Sequence, residues 1–144
     1  MTVDDTQLRE VLRDLAKAGL DVGVFGGWAE ELLEVIPPRP HRDVDILVVN
    51  PDLDEIDAFI IWRNEIVAKH YPHKRAYLQA GVMVELFLVT HRGKRWTTNF
   101  WGSHEHQWPT LTWVYRRGLP IAPLAVVNSY RDSYAAIHAD RNHP

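Results

Sequence analysis

Cysteine is absent from the 144 residues, which removes disulfides, thiolate metal ligands and cysteine nucleophiles and fits a reducing compartment. No apolar run approaches the roughly 20 residues needed to cross a bilayer. The opening segment MTVDDTQLREVLRDLAKAGL carries acids where a secretory signal has basic residues, so a cytoplasmic protein with no membrane partner is expected. An excess of one charge is missing as well. Sixteen Lys and Arg against 19 Asp and Glu give a net charge of -3, and a broad basic surface for polymer nucleic acid is not indicated. What the chain does have is core material, 46% hydrophobic residues. A chain of this length buries roughly two thirds of its unfolded surface, whereas two separate halves would each sit near the lower limit of stability. One domain over residues 1–144 is expected, with about 121–144 forming a short C-terminal helical segment.

Leu8, Val11, Leu12 and Leu15 recur at helical spacing from Asp5 or Thr6 to a stop at Gly19. Asp21 to Phe25 reads as a short strand, Gly26-Gly27 as a turn, and Trp28 to Val35 as a helix ended by Pro37 and Pro38. The connector Ile36 to Arg42 spells a PxxP ligand, but its place inside the domain favours a stiff loop. Asp43 to Val49 is a β-branched, buried strand. Asp52 to about His70 carries apolar residues around a helix with an acidic first turn. Arg75 to Gln79 and Val82 to Thr90 form a hairpin across Ala80-Gly81, whose turn type the dipeptide leaves open. His91 to Pro109 shows no clear period and reads as a covering loop. Thr110 to Tyr115 with Leu119 to Ile121 suggests another hairpin, and Leu124 to His138 a terminal helix, after which Asp140 to Pro144 should fray.

The informative residues are acids. Asp43 and Asp45 stand at i and i+2 of a strand start, so their carboxylates share one side while Val44 and Ile46 face a core. Two neighbouring carboxylates repel unless a cation lies between them, and hard oxygen ligands suit Mg²⁺. An Asp-x-Asp also occurs at solvated strand ends. Glu85 is a single acid in the apolar run Val82 to Val89, and a buried carboxylate needs a cation, a hydrogen-bond network or a wet cleft. Arg42 or Arg75 could neutralise it. Gly26 and Gly27 between strand and helix let backbone amides approach an anion, or simply make a tight turn. Their spacing matches neither the dinucleotide GxGxxG fingerprint nor a P-loop.

Phe25-Gly26-Gly27-Trp28-Ala29, Arg39-Pro40-His41-Arg42-Asp43-Val44-Asp45 and Val84-Glu85-Leu86-Phe87 together resemble the nucleotidyltransferase superfamily of the DNA polymerase β type. Within it they look most like the small aminoglycoside 2″-type and lincosamide nucleotidyltransferases. The resemblance implies an α+β fold with helices packed on a mixed central sheet of about five strands. It implies transfer of a nucleoside monophosphate, AMP from ATP or that of another NTP, to a hydroxyl of a small acceptor such as an aminoglycoside or lincosamide antibiotic, with release of pyrophosphate. Asp43 and Asp45 would hold Mg²⁺, as two ions, with Glu85 completing the metal site and helping to deprotonate the acceptor. Gly26 and Gly27 would cradle the phosphates, and Arg42, Arg39 and His41 are candidate phosphate ligands. The third acid is Glu where many relatives have Asp. The segment after 121 is short beside such enzymes, which implies an acceptor site that is reduced, completed by a homodimer or protein partner, or lost. An antitoxin-like enzyme modifying a partner protein, or a nucleotide-binding module without turnover, are the alternatives.

Trp96, Trp101, Trp108 and Trp113 crowd one region with His104, Glu105 and His106. They either plug the core or offer aromatic faces to a ligand. Trp101 and Glu105, with Trp28 beside the glycines, are candidate acceptor contacts. His104-Glu105-His106 lacks the HExxH zinc spacing, and no serine sits in a nucleophile elbow.

Overall fold

The structure, a computed structural model, describes residues 3–139, so the tail expected to fray lies outside them. Helix α1 (Asp5–Lys17) starts on a capping box in which Asp4 accepts from the Gln7 amide and Gln7 reaches back to the Asp4 amide, and it buries Leu8, Val11, Leu12 and Leu15. Strand β1 (Asp21–Phe25) leads into α2 (Gly26–Leu32), then β2 (Asp43–Val49) and α3 (Leu53–Ile61). The edge strand β3 (Asn64–Glu65), a 3-10 turn at Val67–Lys69, β4 (Lys74–Gln79) and β5 (Val82–Arg92) follow. The chain closes with β6 (Arg95–Phe100), β7 (His104–Trp108), β8 (Val114–Arg116), β9 (Leu119–Ile121) and α4 (Leu124–Ala139).

The sheet has the order β3-β4-β5-β2-β1-β9-β8, with β6 and β7 continuing from the far half of β5. It is mixed: β2 runs parallel to β5 and β1 parallel to β9, whereas β1/β2 and β4/β5 are antiparallel. The α+β class agrees with the sequence reading, but nine strands replace the expected five or so. One face of the sheet carries α3, where Phe59 packs on Tyr77 at 5.7 Å, and α1, where Asp14 accepts from Gln79. The other face carries α4, whose Tyr130 packs on Phe25 and Phe87 at 5.2 and 6.2 Å.

Four elements differ from the sequence reading. The glycines do not precede α2 but form its first turn. That helix ends near Leu33, where Glu34 turns to φ 61 and the Val35 and Ile36 amides fold back on the Glu30 carbonyl, before any proline acts. The helix expected to reach His70 stops at Ile61, because only Ile56 and Ile60 find the core. Ile61 and Val67 are about 70% exposed, and the backbone gains more by adding β3 to β4. The expected loop 91–109 is a meander. Thr98, Phe100, His106 and Trp108 alternate inward, and polar residue types disguised that period because Thr98 satisfies itself on the Leu88 carbonyl and accepts from Trp108 Nε1, both at 2.8 Å. The hairpin expected over 110–121 shrinks to β8 and β9. The Ala80-Gly81 turn resolves as well: both residues have positive φ, 51 and 78, the signature of a type I′ hairpin.

Trp113 lies flat on β1. A Cβ on Gly23 would overlap its six-membered ring, while its Nε1 donates to Asp21 at 2.8 Å. Gly23→Ala should therefore lower stability by about 1–3 kcal/mol through overpacking, read as a lower urea midpoint at unchanged m; an unchanged midpoint would show that Trp113 does not rest on this strand.

Candidate active site

Asp45 faces Glu85 because β2 and β5 are parallel and in register, with Asp43 two residues earlier opposite Met83. Val44 and Ile46, between the acids and after them, are fully buried on the opposite face. Phe25 of β1 is also opposite Asp45, so the chain leaves the sheet at Gly26 directly beside that carboxylate. Gly26 has φ 61, and a Cβ there would overlap Asp45 Oδ2, so both conformation and space require glycine. A Cβ on Gly27 would stand 2.8 Å from Arg39 Nη2 and 3.2 Å from His41 Nδ1. The connector thus returns over the glycines and brings Arg39 and His41 to them.

His41 is buried and held by its surroundings. Its Nε2 lies 2.9 Å from Glu31 Oε1, which also accepts from the Arg39 amide at 2.9 Å, and its ring packs at a tilt on Trp28 at 4.3 Å. Trp28, expected as an acceptor contact, is instead buried packing under this connector. Arg42 is exposed beside Asp43.

The cation on Glu85 is neither Arg42 nor Arg75. Arg75 Nε bonds Asp57 at 2.7 Å, on the opposite face. Lys69 Nζ bonds Glu85 Oε1 at 2.6 Å and Lys74 Nζ pairs with Oε2 at 3.1 Å. Neither lysine stands out in the sequence. Lys69 lay inside the expected helix, whereas Lys74 was findable: it precedes Ala76, the residue opposite Glu85, by two and so shares its face.

Asp45 Oδ1 is closed off from solvent with no hydrogen-bond partner, although the residue as a whole is only half-buried. Burial, then the Glu85 charge and a hydrogen bond to Glu85, push the Asp45 carboxyl up to about 8. Burial alone would raise Glu85 too, but the Lys69 hydrogen bond and the Lys74 charge bring it below its ordinary value. Asp43 is raised, by burial first and then by Glu85, against the lysines and Arg42. Of the two, Asp45 is the one that favours its proton and Glu85 the one that favours its charge.

Among the described residues, no three His, Asp or Glu side chains stand grouped around a metal position. Glu85 is turned to its lysines and Asp45 to Glu85. The donor set still fits a hard divalent cation: three carboxylates at adjoining strand ends, one oxygen of which is buried and unbonded.

Beside Gly26 opens a cavity of about 400 Å³ lined by Phe25, Gly26, Glu30, Val127, Tyr130, Arg131 and Tyr134. Arg131 pairs with Glu30. The Tyr130 phenol is raised by burial first, then by Tyr134, Asp45 and Glu85, so the cavity lies within the field of the acids. Its α4 wall was missed in the sequence because a terminal helix carries no motif. Trp101 does not line it and connects to it through His138, 5.5 Å away and stacked on Tyr134 at 3.7 Å, and through Phe100, which packs on Tyr130. Glu105 is exposed and paired with Arg95 at 3.1 Å on the meander. Trp108 is core.

No family model matches the chain and no curated protein matches it in sequence. Solved structures do match. The lincosamide antibiotic adenylyltransferase LnuA, lincomycin-bound, superposes with TM-score 0.75 at 13% identity over 97% of this chain and 95% of that one. ANT(2″)-Ia in complex with adenylyl-2″-tobramycin gives 0.63 at 13% identity over 96% and 82%. TM1012 of Thermotoga maritima, a candidate nucleotidyltransferase, gives 0.57 at 15% identity over 97% and 91%. The chain has the nucleotidyltransferase fold. No helix among the described residues is long and apolar enough to cross a membrane.

A carboxyl raised in the folded state binds a proton that the unfolded chain has released, so metal-free stability should fall as pH rises from the ordinary 3.8 through about 8. The lowered Glu85 acts only on the acid side of this window. Asp45→Asn keeps a donor to Glu85 and should raise the melting temperature in EDTA at pH 8 by several degrees while flattening the pH dependence; an unchanged profile would show that Asp45 is not the protonated group.

Proposed function

We propose that this chain is a Mg²⁺-dependent nucleotidyltransferase that moves a nucleoside monophosphate, AMP where ATP is the donor, to a hydroxyl of a small acceptor. The observation that carries the reading is the in-register Asp45–Glu85 pair, with Asp43 beside it and Gly26 packed against the Asp45 carboxylate. In the reaction, the acceptor oxygen bonds to the α-phosphorus, the bond between that phosphorus and the β-bridging oxygen breaks, and pyrophosphate leaves.

Asp43, Asp45 and Glu85 would hold the metal, which supplies charge stabilisation to the attacking and leaving oxygens. Gly26 and Gly27 leave room for phosphate against the backbone, with Arg39 and His41 Nδ1 facing the same spot and Arg42 at its open side. Glu85, ionised, is the base available for the acceptor hydroxyl proton. Phe25, Tyr130 and Tyr134 offer faces for the acceptor in the adjoining cavity. That cavity favours a small molecule over a protein as the modified partner. Lincosamides and aminoglycosides, the compounds tied to LnuA and ANT(2″)-Ia, are the first acceptors to test.

Pyrophosphate release should depend on NTP, Mg²⁺ and an acceptor from such a panel. Asp45→Asn and Gly26→Ala should each lower it by roughly 100-fold or more, the scale of losing one preorganised electrostatic group. Label appearing on protein would favour the partner-modifying reading, and saturable NTP binding without turnover on any acceptor would favour a binding module.

A further inference from the structure

The two lysines on Glu85 are not equivalent. Lys74 belongs to β4, its side chain is 13% exposed, and its Nζ sits 4.9 Å above the Phe87 ring, so packing fixes it. Lys69 leaves the surface 3-10 turn with a side chain 37% exposed. That turn is anchored on the sheet by the Ile66 amide, which donates to the Ala76 carbonyl opposite Glu85. The ammonium is therefore carried on a fixed base and a long, solvent-facing stem. The charges of Glu85, Asp43 and Asp45 all bear on Lys69, so it stands within the field of the whole acid cluster.

Lys69 Nζ donates to Glu85 Oε1 at 2.6 Å. A divalent cation drawn to the same oxygen competes with a monovalent ammonium, and charge favours the metal. A displaced Lys69 then lies beside a polyanion whose phosphates carry more charge than the metal neutralises. We propose that Lys69 is an exchangeable ligand of this site: it occupies Glu85 while no metal is bound and, once displaced, binds the triphosphate of the nucleotide. Lys74 stays in place as a fixed neutralising charge. The inference rests on the nucleotidyl-transfer reading of the site, but it makes a demand of its own, because one residue must oppose metal and favour nucleotide.

Calorimetric titration of the full chain with Mn²⁺ alone, and separately with MgATP, tests it. Lys69→Met should tighten Mn²⁺ about two- to fivefold, the scale of one exposed ion pair, and weaken MgATP about tenfold, the scale of a charge-assisted hydrogen bond. Lys69→Arg should restore MgATP binding, and Lys74→Met should weaken it less than Lys69→Met does. Lys69→Gln provides a second neutral variant should Met lower the melting temperature. Weaker or unchanged Mn²⁺ binding in both neutral variants, or unchanged MgATP binding, would make Lys69 a structural tether and overturn the proposal. A wild-type chain that binds neither Mn²⁺ nor MgATP would overturn the site reading and this inference together.

Discussion

Two carboxylates face each other across neighbouring parallel strands, and the rest of the site answers that repulsion. Asp45 and Glu85 are locked in register by a ladder that pairs every residue from Asp43 to Val49 with one from Met83 to Val89. A slip of one residue would turn Val44 and Ile46 out of the core, so the hydrophobic effect enforces a juxtaposition that electrostatics opposes. The opposition is met in two ways, by a proton retained on Asp45 and by two ammonium groups on Glu85. Neither device reaches Asp45 Oδ1, which is left without a bond. An unpaired buried oxygen costs on the order of 1–3 kcal/mol, and a site that keeps one is arranged for something other than its own stability.

The surrounding fold supplies the means. On the opposite face, α1 and α3 bury Leu8, Leu15, Ile56 and Ile60 against the sheet, which frees the acid-bearing face from having to form the whole core. On the acid-bearing face, Phe25, Phe87, Phe100, Trp108 and Tyr130 form a connected aromatic cluster. The meander of β6 and β7 contributes Phe100 and Trp108 to this cluster. The crowd of tryptophans is therefore chiefly structural, and the aromatic surface next to the acids comes from α4.

The sequence exposed the acids because charge inside an apolar run is conspicuous: Glu85 between Val84 and Leu86, and Asp43 and Asp45 around Val44, carry their own signal. It exposed α1 because its apolar residues follow a clean helical period, and β2 because its run is apolar and β-branched. It concealed whatever depends on pairing at a distance. Lys69 reaches Glu85 only because β3 forms on β4, and β3 is two residues that hydrogen-bond at an edge without apolar content. Thr98 and His106 face inward because each has a polar partner, Leu88 O and Ser129 Oγ, that no periodicity reveals. Trp28 and His41 were legible as separate candidates, an acceptor contact and a phosphate ligand, but not as packing partners, because their contact depends on where the proline-rich connector returns.

That connector divides the surroundings of the acids into two chemically distinct sides. Toward Gly27 lie Arg39 and His41, held by Glu31, a positively disposed and backbone-lined surface suited to phosphate. Toward Tyr130 and Tyr134 lies an aromatic cavity whose one carboxylate, Glu30, is already paired with Arg131. Gly26 belongs to both, since it lines the cavity and its missing side chain leaves the space that the Asp45 carboxylate occupies. A reaction that joins a phosphate to an organic hydroxyl needs this adjacency, with an acid at the boundary and different recognition on each side. The net charge of -3 conveys none of it. The Asp45–Glu85 register conveys most of it, because the same ladders that bury Val44 and Ile46 set the two acids beside Gly26.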